Sequence, residues 1–589
     1  MSPSRPRSWF ATNPTTTPHA WWVDAALIVA VSAAIYGIVV AAARWTAPLT
    51  PATHIDLSPL ALPSYAGLST LRMAVAYVIS LVFTLVYARV AVASRVAGRI
   101  LLPLLDILQS IPILSFLPGV VLGLVAIFPH STIGLELAAI LLIFTSQAWN
   151  MTFSFHQSLV TIPNELREAA AIYRLNWWQR FIQLEAPFGT IPLVWNSMMS
   201  WAGGWFFLMA AEQFTLGSHN FELPGLGSYL AAAANAGDVG ALLLGLATLI
   251  AVIVLLDQVL WRPLLAWADR FKVEQTSSGD APTSAVLQAL RRSALLAWAR
   301  VRFWGPAREA LDRRMWQCFP EGGAPLPPVP AKPPAGWRLP RTAGAWAGIA
   351  LLVLVAAGAA WGAVAALVLL AQVSLPNWGL IAASTGATLL RTTAALLLGV
   401  AWTVPVGVAI GMNPRLARRA QPIVQLVASI PATAIFPALL LILLALPGGL
   451  DLAAVALMLL GTQWYVLFNV IAGASAIPND LREAAAIYKL SGWRRWRTLI
   501  LPAIFPYLVT GMLTATGGAW NASIVSEYVT FHGHTVSTLG LGAVIAESAS
   551  GNYPVLLAAT LAMAAVVVAI NRIVWKRLYG LAERRFHLD

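Results

Sequence analysis

Hydrophobic positions along this chain form long runs, separated by short polar segments. The runs exceed the roughly 20 apolar residues that a helix needs to cross a bilayer. They are continuous rather than alternating, which excludes the strands of an outer-membrane barrel. The pattern therefore predicts an all-α polytopic membrane protein with about 12 transmembrane helices. The predicted spans are 21–44, 68–90, 101–128, 134–160, 187–212 and 240–268, then 344–372, 381–411, 420–446, 452–475, 502–526 and 554–577.

The second half of the chain repeats the first. The thirteen residues Pro163–Leu175 recur as Pro478–Leu490, and eleven of the thirteen are identical. A register this continuous indicates a duplicated domain, and six spans in each copy give the two copies parallel topology. Further matches at offsets of 315 or 319 residues pair Arg72 with Arg391, Ser110-Ile-Pro112 with Ser429-Ile-Pro431, Glu136 with Asp451, Trp205 with Trp520, Glu212 with Glu527, and Gly225-Leu-Gly227 with Gly540-Leu-Gly542.

The repeat divides the chain into three predicted parts. Residues 1–269 form a tail with six spans, 270–341 a basic and proline-rich linker, and 342–589 a second half with six spans. Thirteen Lys and Arg lie between Arg262 and Arg341, whereas the predicted outer loops carry none. By the positive-inside rule, the linker, both repeated phrases and both termini are predicted to be cytoplasmic.

Composition supports a membrane protein and limits its chemistry. The 589 residues are 59% hydrophobic and 10% charged, with a mean hydropathy of +0.73. In this context the net charge of +13 sets orientation, so nucleic-acid binding is excluded. A single cysteine, Cys318, excludes a disulfide framework and cysteine-based metal sites.

The repeated phrase is predicted to form an exposed docking helix. Asn164 and Asn479 are suited to cap it, and Glu165 and Asp480 place negative charge in its first turn. The small alanines allow a partner to approach closely, and the charged pairs Arg167-Glu168 and Arg482-Glu483 provide hydrogen bonds that fix its register. The apolar stripe consists of Leu166, Ala169, Ala170 and Tyr173 in one copy and of Leu481, Ala484, Ala485 and Tyr488 in the other.

At these residues the chain resembles a known family. The Glu-Ala-Ala phrase, the basic and aromatic stretch after it, and the prolines Pro187 and Pro502 look like the cytoplasmic coupling loop of ABC importer permeases of the type I fold. The two Ser-Ile-Pro segments, the Trp205/Glu212 and Trp520/Glu527 spacing and the Gly-Leu-Gly loops are similar to the nitrate/sulfonate/taurine group. The resemblance covers about residues 60–270 and 380–580, as in a permease with both halves fused on one chain.

The resemblance implies partners and a location. Two ABC ATP-binding subunits would dock on the two phrases and would carry the ATP and Mg²⁺, so no cofactor is expected on this chain. A periplasmic or extracellular solute-binding protein would deliver a small solute, an anion such as nitrate, a sulfonate or taurine. The expected location is the bacterial cytoplasmic (inner) membrane.

One position departs from the family pattern. The family places a glycine six residues after the motif glutamate, where it turns the chain between two short helices. This chain has Arg174 and Lys489 there, so the turn must form without a glycine.

Several residues are candidates for the translocation path. Arg72 and Arg391 either contact an anion or anchor their spans at the interface. Glu212 and Glu527 either act in gating, form a helix-stabilising hydrogen bond or are ordinary interfacial acids. Trp205 and Trp520 are further candidates, and the paired glycines before them either pack helices or line the path. Two polar candidates, Asn196 and Ser200, occur in the first half only.

The chain carries no motif that indicates an enzyme. It lacks a phosphate-binding Gly-x-x-x-x-Gly-Lys-Ser/Thr loop, a His-Glu-x-x-His and a Gly-x-Ser-x-Gly, so we expect a transport subunit rather than an ATPase. Two alternatives remain open. An ion-coupled secondary transporter would need titratable residues near the middle of the membrane, and a non-transporting scaffold would need none.

Overall fold

The computed structural model describes residues 55–93, 95–128, 133–216, 219–271, 360–531, 534–549 and 551–585, with isolated positions between 284 and 358. The predicted span 21–44 and most of the linker lie outside the described residues. The span 344–372 is described mainly from Ala360 onward.

The first half is a series of long and short helices with one hairpin. Its helices are α1 (Leu62–Ala93), α2 (Arg95–Ser110), α3 (Leu117–Ile127), α4 (Ile133–Val160), α5 (Asn164–Ile172), α6 (Trp177–Arg180), α7 (Ala186–Glu212), α8 (Leu226–Asn235), α9 (Val239–Leu256) and α10 (Arg262–Ala268). Strands β1 (Gln213–Leu216) and β2 (His219–Glu222) pair antiparallel.

The second half repeats this order. Its helices are α11 (Ala360–Leu370), α12 (Leu375–Met412), α13 (Pro414–Ala428), α14 (Ala432–Leu443), α15 (Gly449–Ser475), α16 (Asn479–Ile487), α17 (Gly492–Arg495), α18 (Leu501–Ser526), α19 (Leu541–Ser548), α20 (Tyr553–Ile570) and α21 (Lys576–Arg585). Its hairpin consists of β3 (Tyr528–Phe531) and β4 (His534–Ser537).

The predicted all-α polytopic membrane fold is confirmed. Among the described residues, seven helices are long and apolar enough to cross a membrane, or eight if one bent pair counts as a single span. The full number of 12 stays a prediction. The two hairpins were not predicted from the sequence, because strands of four residues are too short to give a clear alternating pattern.

The third predicted segment of each half is broken, so the continuous spans 101–128 and 420–446 are wrong. Helix α2 ends at Ser110 and α3 begins at Leu117, while α13 and α14 meet at an angle of 75°. The cause is the Ser-Ile-Pro sequence, since a proline disfavours helical backbone at the residue before it and offers no N–H.

Beyond each break the chain packs on the other half. Leu114 packs in one core cluster with Trp520 and Ile524, and Phe436 packs in another with Trp205. Two hydrogen bonds repeat this exchange at equivalent positions. The Leu114 backbone N–H donates to Asn521 Oδ1 over 3.1 Å, and the Thr433 hydroxyl donates to the Phe206 carbonyl over 3.2 Å. The repeat register relates Leu114 to Thr433 and Asn521 to Phe206, so the interface has an approximate twofold relation.

Close packing of α12 on α15 gives a first test. A Cβ built on Gly411 would lie 2.6 Å from the Ile471 carbonyl oxygen, whereas one on Gly386 of the same helix meets nothing within 4 Å. We expect Gly411→Ala to lower the free energy of unfolding by about 1–3 kcal/mol, because the clash is with backbone. Gly386→Ala should raise it by about 0.5–1 kcal/mol. Thermal unfolding in one detergent measures both, and equal shifts would contradict the packing.

Candidate functional site

The two repeated phrases form short surface helices, α5 and α16, which we call the motif helices. Each begins directly after a proline, Pro163 or Pro478, which occupies the cap position with extended backbone. Asn164 and Asn479 are the first residues inside the helices, so the predicted asparagine caps are wrong. Pro163 still serves the first turn, because its carbonyl accepts the Arg167 backbone N–H at 3.3 Å.

The motif arginines fasten each motif helix to the membrane helix before it. Arg167 Nη2 donates to the carbonyls of Leu159 and Val160 at 2.9 and 3.1 Å. Arg482 Nη2 donates to the Ala474 carbonyl at 2.9 Å. These carbonyls lie at the ends of α4 and α15, where a helix leaves acceptors unsatisfied. The arginines therefore fix the motif helix on its own chain.

The predicted apolar stripe is divided between two faces. Ala170 and Ala485 are buried against the protein. The isoleucine–tyrosine pairs that follow point outward, with Ile172, Tyr173, Ile487 and Tyr488 between 78% and 79% exposed. Sequence reasoning missed the two isoleucines because they lie one position before the tyrosine of the stripe. Large exposed apolar side chains in matching positions are the most prominent feature of this surface.

The turn after each motif helix forms without the expected glycine. Arg174 and Lys489 have φ of 49° and 52°, in the left-handed region that glycine ordinarily occupies. Leu175 N donates to the Ala170 carbonyl and Arg174 N to the Ala171 carbonyl, both at 3.0 Å. This is the Schellman arrangement, and it recurs in the second copy. The family turn is thus retained, with local strain at a basic residue.

A cation–π contact and an ion pair of Arg89 support the motif loop of the first half. The Arg89 guanidinium lies 4.0 Å from the centre of the Trp177 ring, and its Nη1 lies 2.8 Å from Glu185 Oε2. The second half has Gly492 and Ile500 at the positions of Trp177 and Glu185. The two loops therefore differ in support although their motif helices are nearly identical.

A buried ion-pair network closes the opposite end of the first half. Arg72 pairs with Glu136 at 2.5 Å and with Glu212 at 2.7 Å. Glu212 is fully buried and also accepts the Gly227 backbone N–H at 2.7 Å and the Ser69 hydroxyl at 2.6 Å. The network ties α1, α4 and α7 to the Gly-Leu-Gly loop that follows the hairpin.

The second half builds the same network. Arg391 pairs with Asp451 at 2.6 Å and with Glu527 at 2.8 Å. Glu527 accepts the Gly542 backbone N–H and the Thr388 hydroxyl, each at 2.8 Å. In both halves a Cβ on the first loop glycine would overlap the carboxylate, which explains why a glycine stands there.

A chamber of about 360 Å³ lies between the two halves. The broken third segments, the fourth helices α4 and α15, the fifth helices α7 and α18 and the sixth segments of both halves supply its walls. Trp205 lines it, as do Gly203 and Gly517, the first members of the paired glycines. The second members, Gly204 and Gly518, come close to neighbouring helices, so the glycine pairs both line the chamber and pack helices.

The remaining path candidates lie away from the chamber walls among the described residues. Asn196 donates to the Ser154 hydroxyl at 2.9 Å, and Ser200 is buried. Trp520 is fully buried in a core cluster. The two arginines and two glutamates belong to the ion-pair networks. Their part in translocation stays a prediction.

Two related halves around a common chamber, each with a matching surface helix, define a duplicated polytopic membrane protein. The chain belongs to the family described as "Binding-protein-dependent transport system inner membrane component", which matches residues 79–260 and again 403–587. The resemblance to a duplicated ABC importer permease is thereby confirmed.

The curated relatives are named for nitrate, bicarbonate and taurine. The chain is 28% identical over 144 residues to the nitrate import permease protein NrtB of Leptolyngbya laminosa, which covers 24% of this chain and 50% of the relative. It is 27% identical over 169 residues to the bicarbonate transport system permease protein CmpB of Synechococcus elongatus, an alignment that covers 29% of this chain and 58% of the relative. It is 26% identical over 166 residues to the taurine transport system permease protein TauC of Escherichia coli, an alignment that covers 28% of this chain and 55% of the relative. The chain spans about half the length of the curated relatives it matches.

The buried network predicts a large effect of removing its cation. Arg72→Ala leaves the Glu212 carboxylate buried without a counter-charge, and we expect a loss of about 3–5 kcal/mol in the free energy of unfolding. Arg262→Ala is the control, because its pair with Asp257 is half exposed and should contribute about 1 kcal/mol or less. Thermal unfolding of the purified chain measures both. A melting temperature of Arg72→Ala equal to that of the control would contradict the network's role.

The strained turns after the motif helices predict that a substitution there increases the free energy of unfolding. Arg174→Gly and Lys489→Gly should raise the free energy of unfolding by up to about 1 kcal/mol each, since glycine adopts positive φ without a clash. Arg494→Gly is the matched control, because Arg494 lies in helix α17 and glycine there should destabilise. Denaturant titration distinguishes the signs, and a loss of stability in the first two variants would refute the strain.

Proposed function

We propose that this chain is the permease subunit of an ATP-driven ABC importer of the bacterial cytoplasmic membrane. It moves a small solute inward, an anion of the nitrate, sulfonate or taurine kind. The family and the names of its relatives support the transport role and the anionic solute. The chain itself acts as a transport subunit and performs no catalysis.

The observation that carries the proposal is the pair of motif helices. Each presents an exposed isoleucine and tyrosine together with exposed Glu168 or Glu483. Aromatic side chains surrounded by charge are typical anchors of protein interfaces. Two copies of one anchor suit two ATP-binding subunits of the same kind, and these subunits bind the ATP and Mg²⁺.

The anchoring of the motif helices supplies a route for coupling. Arg167 and Arg482 hold each motif helix to the end of a fourth helix, and the turn after it leads through a π-helical segment into a fifth helix. When the ATP-binding subunits close, the motif helices approach each other and displace these helices. Because α4, α7, α15 and α18 line the chamber, their displacement opens the chamber toward the outer face of the membrane.

The hairpin end receives the solute. Helices of the length of α7, 27 residues, span about 40 Å, which separates the hairpins from the motif helices by a membrane thickness. The ion-pair networks hold the Gly-Leu-Gly loops there firmly. We propose that a solute-binding protein docks on this outer surface, with the motif helices and both chain termini in the cytoplasm.

The docking proposal predicts loss of the ATP-binding subunits. Replacement of Ile172, Tyr173, Ile487 and Tyr488 by alanine should weaken their binding by about 2 kcal/mol or more for each aromatic anchor, roughly thirtyfold. The double variant Glu168→Arg with Glu483→Arg should abolish solute-stimulated ATPase activity while the protein still inserts. Co-purification from native membranes and ATPase assays of the reconstituted complex measure these effects.

The control is Leu60→Ala, which removes an apolar side chain 91% exposed at the hairpin end. It should leave the ATP-binding subunits bound. Full ATPase activity in the motif variants would contradict the proposal. Uptake that follows an ion gradient without any ATPase would establish the secondary-transporter alternative. A complete lack of solute uptake would favour the non-transporting scaffold.

A further inference from the structure

The fifth helices of the two halves contribute different side chains to the chamber. Helix α7 of the first half contributes large apolar side chains to one wall. They are Met198, Met199, Trp201, Trp205, Phe206 and Phe207. Helix α18 of the second half contributes Leu513 and otherwise small and polar residues, namely Thr514, Thr516, Gly517, Gly518 and Asn521. The repeat register pairs Met199 with Thr514, Trp201 with Thr516 and Phe206 with Asn521, so the two fifth helices differ at these three equivalent positions.

Two unpaired polar side chains face the chamber from equivalent positions. Asn150 on α4 and Tyr465 on α15 are related by the repeat and both line the chamber, each preceded by a tryptophan. Neither side chain forms a hydrogen bond within the part of the chain that the structure describes. An amide and a phenol can each donate to an oxygen acceptor. They are therefore free to bind the polar end of a solute.

The chamber walls offer an anion little charge. The described lining residues include no lysine or arginine. Their one carboxylate, Asp257, lies 3.0 Å from Arg262 Nε and is compensated there. Any anion held here would lose hydration without a cation to replace it, so binding depends on hydrogen bonds and on buried apolar area, and a compact inorganic anion has no apolar area. Such an ion would gain little from walls made of tryptophan, phenylalanine and methionine.

The volume also exceeds what an inorganic anion needs. A chamber of about 360 Å³ corresponds to roughly twelve waters at about 30 Å³ each. Cavities from about 300 Å³ upward, with apolar walls and a few polar groups, are typical binding sites of organic molecules. Aromatic walls reward a flat apolar body both through the area buried and through ring contacts.

We infer that the chamber takes an organic oxyanion with a flat apolar body, of the arenesulfonate or arenecarboxylate kind. The body lies against the α7 wall, and Asn150 and Tyr465 donate hydrogen bonds to the oxyanion head. This inference rests on the proposed importer function, because it names the solute class that would pass between the halves. It separates this chain from relatives named for nitrate and bicarbonate.

The test measures binding of radiolabelled benzenesulfonate to the full chain in lipid nanodiscs, with methanesulfonate, nitrate and bicarbonate as competitors. We expect benzenesulfonate to bind at least about tenfold more tightly than any of the three, from the apolar area of its ring. Asn150→Leu and Tyr465→Phe should each weaken it by about tenfold, as expected for hydrogen bonds to a charged group. Equal or tighter binding of nitrate or bicarbonate would overturn the inference.

Gly517 provides a matched pair of variants. A Cβ at Gly517 meets nothing within 4 Å, so Gly517→Ala should keep benzenesulfonate binding. Gly517→Leu places a larger side chain in the chamber and should abolish it. Retained binding in Gly517→Leu would place the ligand elsewhere and refute the inference. If that variant fails to fold, the Asn150→Leu and Tyr465→Phe results still decide.

The motif variants separate this inference from the proposed function. Alanine at Ile172, Tyr173, Ile487 and Tyr488 should leave benzenesulfonate binding unchanged, because these exposed residues do not line the chamber. Binding of benzenesulfonate by a wild-type chain that captures no ATP-binding subunits would support the chamber and refute the importer. An active importer that binds no benzenesulfonate would refute the chamber assignment alone.

Discussion

The break in each third segment is the constraint on which the rest of the structure depends. Pro112 and Pro431 prevent a continuous helix, and the chain after each break packs on the fifth and sixth segments of the other half. Two helical halves in a membrane gain no hydrophobic driving force from each other, so their association depends on packing and hydrogen bonds. The hydrogen bonds made by Leu114 and Thr433 join the two halves at equivalent places within this packing. The same breaks leave the space that becomes the chamber.

Different interactions stabilise the two ends of the molecule. At the hairpin end, Arg72 and Arg391 compensate buried carboxylates that also hold loop backbone, so removing one partner would leave charge in an apolar setting. At the motif end, Arg167 and Arg482 satisfy helix carbonyls while the apolar pairs next to them stay exposed. One end is therefore closed on itself, and the other keeps large apolar side chains exposed.

The sequence predicted the duplication, most spans and the position of both motif helices, because these depend on local pattern and on the repeat. It could not predict the partners of Arg72, since Glu136 and Glu212 lie 64 and 140 residues away along the chain. It missed the broken third segments because an apolar run looks the same whether it is straight or bent. The exposure of Ile172 could not be predicted either, because it depends on which face of the motif helix is buried, and the structure shows that this is the face of Ala170. The left-handed Arg174 could be suspected only from the missing glycine.

Divergence inside the molecule and near-identity at its surface have separate causes. The proposed docking of two subunits of one kind accounts for the likeness of the two motif helices, which extends to the strained basic residues Arg174 and Lys489. The chamber has no such requirement under the proposed function, in which a single solute contacts both halves at once. The proposed solute, with an apolar body and a polar head, requires such differences between the halves, as between Trp201 and Thr516, which are equivalent in the repeat register and both line the chamber. Duplication on one chain allows this, since each half can change without altering its counterpart.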